Sequence, residues 1–177
     1  SSMQQLTLKY QNEDDKAYGL AGMAIALAAL DALDRVAGVS LDSDGPMVTF
    51  SNEFYFSGSP SVSPKSTWNA LLHNYYITSA MVVSNVMSRS LVRLKQEVPD
   101  EIRLRVREEI GAEGRDTCAL EDDEIENLYR KTTTYMRRIF GNSRLHPAID
   151  DFARALSCRR EMSGLEIIDE LRRLQII

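Results

Sequence analysis

Apolar residues recur with a helical period along most of the chain. The clearest run is Glu121 to Phe140, where Ile125, Leu128, Tyr129, Thr132, Met136, Ile139 and Phe140 fall on one stripe. Its ends agree with the helix dipole: acids occupy 121–124, Arg137 and Arg138 lie near the close, and Gly141 follows. Pro147 to Arg160 repeats the logic with Ile149, Phe152, Ala153 and Leu156. Ser163-Gly164-Leu165-Glu166 is a capping box, in which the serine hydroxyl and the glutamate carboxylate bond each other's backbone N–H, and it opens a helix through Leu171 and Leu174. Ahead of these, Pro99 to Gly114 places Ile102, Val106 and Ile110 four apart.

The first half of the chain is less amphipathic. Asn12 reads as a cap, with Glu13, Asp14 and Asp15 in the first turn, and the pattern stays helical to Ala37, closed by Gly38. Within it Ala17, Ala21, Ala24, Ala28 and Ala32 form a stripe that lets another helix approach closely. From Val39 the helical period breaks, and β-branched and aromatic residues around the turn signal Asp42-Ser43-Asp44-Gly45 predict a β-ribbon over about 39–57. Ser63-Pro64 then reads as a cap and first helical residue, and no Pro or Gly interrupts Lys65 to Val98. That helix would be about 50 Å long at about 1.5 Å per residue. The expected fold is mainly α: five or six helices around a long central helix, with an inserted ribbon. A single domain spans 1–177, its core helices and ribbon at about 12–98 and covering helices at about 99–177.

The charge distribution agrees with this order. Residues 1–98 carry 9 acids and 7 bases, and 99–177 carry 17 and 14, as expected if buried helices precede one-sided ones. With 177 residues, 44% of them hydrophobic, the chain buries enough surface to fold without disulfides. Cys118 and Cys158, with no CxxC pair, read as reduced thiols of a cytoplasmic protein. The N-terminal residues lack the basic patch and apolar run of a signal peptide. Ala17 to Leu30, the longest uncharged apolar stretch, falls short of the roughly 20 residues that cross a bilayer. A net charge of −5 disfavours a general nucleic-acid or polybasic membrane binder.

Candidate chemistry thins out on inspection. Gly58 to Thr67 imitates a phosphate loop, but Pro64 stands where a glycine must precede the lysine, leaving Lys65, Ser66 and Thr67 as a weak anion site at a helix start. His73, Cys118, His146 and Cys158 are zinc-type ligands with no two within one turn of each other, so no metal is expected. His73 reads as a core histidine and His146 as a cap paired with Asp150. No nucleophile elbow or catalytic cysteine signature is present, so no catalytic residue or cofactor is assigned. Arginine outnumbers lysine 16 to 5, and two helix pairs resemble helix-turn-helix units, but Glu121 to Glu124 would repel a phosphate backbone at the first.

Interaction surfaces remain. Phe50, Phe54, Tyr55 and Phe56 in the ribbon, and Leu174, Ile176 and Ile177 at the C-terminal end, predict a non-enzymatic assembly module, a homodimer or one with a protein partner. The alternative is a small-ligand binder or enzyme with a pocket at His73, Asn74, Tyr75 and Tyr76. A regulatory nucleic-acid role ranks third.

Overall fold

The computed structural model describes residues 9–33, 36–42, 48–50 and 64–177, and the side chains of these except at 36, 37, 48–50 and 64–69. Asn12 caps the first helix as expected, its side chain accepting the Asp15 N–H at 2.8 Å. This helix, α1 (Glu13–Ala29), is buried nearly all round, with Ala17, Leu20, Ala21, Ala24 and Leu27 inaccessible to water. A helix without a polar face belongs in the centre of a bundle. It packs on α2 (Pro64–Met87) on one side and α5 (His146–Arg159) on another.

The small-residue pattern does permit close approach, though through a glycine. A Cβ on Gly22 would stand 2.5 Å from the Ser84 carbonyl oxygen and 2.6 Å from Ser88 Cβ. The helix does not continue to Ala37. It ends at Ala29, Asp31 turns into the left-handed region at φ 55°, and Val36–Ser40 form strand β1. Gly38 is therefore no helix stop; it lies inside the strand, where a Cβ would sit 2.8 Å from the Met162 carbonyl oxygen.

The ribbon is present as β1 and β2 (Val48–Phe50), antiparallel, with Val39 opposite Val48 and a bulge between Val36 and Gly38. Its turn at 43–47 and the stretch 51–57 lie outside the described residues. A third strand that the pattern did not announce, β3 (Glu161–Ser163), pairs with the other edge of β1, giving the order β2-β1-β3. The ribbon is thereby stitched to the C-terminal part of the chain.

Helix α2 continues without a break into a π-helical turn, Ser88–Arg93, and stops before Val98. Lys95 takes a left-handed φ of 55°, and the Gln96 N–H closes on the Ser90 carbonyl at 3.0 Å, a cap made by backbone geometry rather than by Pro99. Next, α3 (Asp100–Cys118) outruns its expected end at Gly114: Gly111 and Gly114 stay helical, and Ala119, at φ 51°, makes the left-handed cap. Helix α4 (Asp122–Phe140) and helix α6 (Gly164–Arg173) match their expected spans, the second with its capping box in place. Helices α3 and α4 pack on α2, and α6 packs on the sheet. The result is a helical bundle with an inserted hairpin, as the pattern predicts. Among the described residues, no helix is long and apolar enough to cross a membrane.

Candidate functional site

The site residues picked from the sequence do not converge. Consecutive residues on a helix point about 100° apart, and His73, Asn74, Tyr75 and Tyr76 do so on α2. Tyr75 is buried toward α3 and donates to the Ile110 carbonyl at 2.7 Å, and burial pushes its phenol up to about 12. Asn74 is half-buried. His73 is exposed rather than a core residue, because it lies on the rim of a groove of about 330 Å³ shared with Tyr76, Leu30, Lys131 and Tyr135.

Lys65, Ser66 and Thr67 lie in the first turn of α2 with side chains outside the described set. Phe50 is in β2, and Phe54, Tyr55 and Phe56 fall outside the described residues. Leu174 and Ile176 are half-buried against the core, whereas Ile177 is 50% exposed. His146 does not cap α5 or pair with Asp150. Its Nε2 lies 2.7 Å from the Phe140 carbonyl and its Nδ1 2.8 Å from Lys95 Nζ, while Asp150 accepts the Tyr18 hydroxyl at 2.6 Å. The left-handed cap at Lys95 delivers that amine, which nothing in the local sequence signals. Both thiols are free, Cys118 buried and Cys158 exposed, and no group of three potential metal ligands occurs among the described residues.

A cavity of about 470 Å³ opens instead where α2, α3 and α4 meet. Its floor is apolar: Val83, Val86 and Met87 from α2, Val98 from the segment before α3, and Val106 from α3. The α2 residues sit at i, i+3 and i+4, so one helix face supplies them. Helix α4 supplies the opposite wall from Tyr129, Thr133 and Arg137, spaced by four, with Thr134 and Arg138 beside them. This line runs next to the apolar stripe that anchors α4 to α2, which is why it borders the core without filling it.

The polar groups of the cavity are three guanidiniums, which only donate, and three hydroxyls, which donate or accept. The Arg103 guanidinium bonds Asp100 at 2.8 Å, and Arg137 bonds Glu97 at 2.9 Å. Arg138 has no ionic partner among the described residues. The Thr133 hydroxyl donates back to its own helix, to the Tyr129 carbonyl at 2.9 Å. Burial raises the Tyr129 phenol pKa against the opposing pull of Arg103 and Arg107, so it remains a neutral donor. The Arg107 guanidinium stands 5.9 Å from the Tyr129 ring centre. Among the described residues, no Asp or Glu lines the cavity.

In the sequence, the apolar residues nearly all round α2 and the Arg137-Arg138 pair at the close of α4 each have a local explanation. The surplus apolar face of α2 was the available signal. No protein-family model, curated protein or solved structure matches the chain.

Proposed function

We propose that the chain is a small-ligand-binding protein, with the cavity between α2, α3 and α4 as its site. The observation that carries this reading is a volume of about 470 Å³ combined with a floor of four valines and a methionine beneath a polar rim. Ligand sites commonly have this size and this division of labour, apolar walls for affinity and a few polar groups for orientation. Decanol, titrated calorimetrically, should saturate a single site per chain. Thr133→Trp and, from the more exposed rim, Thr134→Trp fill the space and should abolish that binding while cooperative unfolding persists. Undiminished binding in either folded variant counts against this placement.

A second reading, self-assembly through the ribbon and α6, is supported by Leu165, 76% exposed, and by Ile177, both large apolar groups left in water near the C-terminus. A native mass spectrum should then show a dimer that Leu165→Glu dissociates; a wild-type monomer removes this reading. The unbridged thiols support a reducing, cytoplasmic setting for either role.

A further inference from the structure

We infer that the cavity takes an anionic single-chain amphiphile, a medium-length alkyl carboxylate being its simplest form; this rests on the ligand-site reading above. Three arginines, Arg103, Arg137 and Arg138, line one cavity, and no carboxylate among the described residues lines it to receive a cationic head. Asp100 and Glu97, which pair with two of the arginines, are themselves largely exposed, so they remain free to be displaced by a ligand anion. Arg138 has no such competitor among the described residues. The remaining polar groups are compatible with an anion: the Tyr129 and Thr134 hydroxyls make no side-chain hydrogen bond among the described residues and can donate to a ligand oxygen.

The tail follows from the floor and the volume. At about 30 Å³ per water-sized group, 470 Å³ holds about fifteen heavy atoms. That accommodates a chain of about ten carbons with its head group, the alkyl part lying against the valines at 83, 86, 98 and 106. The head would lie at Arg137, which also borders an adjacent open groove where Lys95 and His146 stand beside Glu97 and Asp150. Charge beyond the rim is mixed on that side, so the preference for an anion rests on the three arginines of the cavity itself. A guanidinium suits this task because its planar fork matches the two oxygens of a carboxylate.

Matched probes separate head from tail. Decanoate, decanol and decyltrimethylammonium, all below their micellar concentrations, are titrated against the wild type, Arg138→Gln and Thr133→Trp, with thermal unfolding as the check on folding and Thr134→Trp in reserve. Decanoate should bind about tenfold or more tightly than decanol, as one charge-assisted contact implies, and the ammonium probe most weakly. In Arg138→Gln the ratio of decanoate to decanol affinity should shrink severalfold. Equal affinities for the anion and the alcohol, or a ratio that Arg138→Gln leaves unchanged, overturn the anionic assignment while the cavity reading stands. Absence of binding by every probe, or binding that survives the filled variants, overturns the cavity reading and this inference with it.

Discussion

Asp15 carries the most consequential charge in the described structure. It is 3% exposed, and its carboxylate is gripped by Arg89 through two bonds, at 2.8 and 2.7 Å, and by the Gln11 N–H at 3.0 Å. Arg93 stands 3.7 Å away, with a buried Nη1 that has no hydrogen bond of its own. Burial by itself would raise the Asp15 pKa, but these bonds and the two arginine charges more than offset it and hold the carboxyl below its ordinary value. Stability from Asp15 is thus in place above the unfolded-state pKa of about 3.9 and is lost as pH falls through the lower native value. Asp15→Asn keeps the shape and removes the buried negative charge that accepts two bonds from Arg89, so urea unfolding at neutral pH should show a loss of about 1.5–3 kcal/mol. In the variant the acid limb below pH 4 should flatten, and an unchanged limb would assign the acid sensitivity to other carboxylates. A cap and three first-turn acids at 12–15 are legible in the sequence. That one of those acids turns inward is not, because its partners lie 74 and 78 positions away on the π-helical turn.

Helix α1 against α2 is the most extensive contact between two elements of the described structure. The alanine stripe reads correctly as a packing face, and Ala17, Ala21 and Ala24 are all fully buried. The tightest point is nevertheless Gly22, where α2 presents backbone rather than a side chain that can rotate away. Gly22→Ala should therefore destabilise by about 1–3 kcal/mol despite the better helix propensity of alanine, since overpacking exceeds the gain of about 1 kcal/mol from propensity. Chemical denaturation measures it, and a stabilised variant would mean that the two helices separate without cost. Element ends were less legible than element centres. The helices α2 and α3 stop at left-handed residues, Lys95 and Ala119, which are neither glycine nor asparagine, so the usual stop signals do not mark them.

Across the whole molecule, β1 joins segments that are distant in sequence. It pairs with β2 on one edge and with β3 on the other, and α6 packs against it, so residues 36–40 and 161–173 stabilise one another. Met162 is the buried centre of β3, at 2% exposure, and faces the core between two exposed neighbours. Met162→Ala should lower the stability of the whole bundle by about 2–5 kcal/mol, with a single transition preserved. Circular dichroism during urea unfolding would show a lower midpoint and an unchanged slope; a separate early transition would mean that the sheet and α6 unfold independently of the helices. The short strand was missed because three residues with one apolar position carry no usable period, and a strand that short is stable only through its partner.

Local order in this protein is a property of its sequence. The Asn12 cap, the Ser163–Glu166 box, the stripe on α4 and the proline at the start of α2 each act within one or two turns, through side chain-to-backbone bonds and helical period, and those elements begin where the pattern places them. Tertiary structure decided the rest. The cavity exists because three helices bring their second faces together without closing, and its residues at 83–87, 98–106 and 129–138 share no local motif. Which arginine meets Asp15, which strand covers the edge of β1 and which amine reaches His146 are likewise settled by the meeting of distant surfaces, whose free energy depends on the assembled shape and not on any short run of residues.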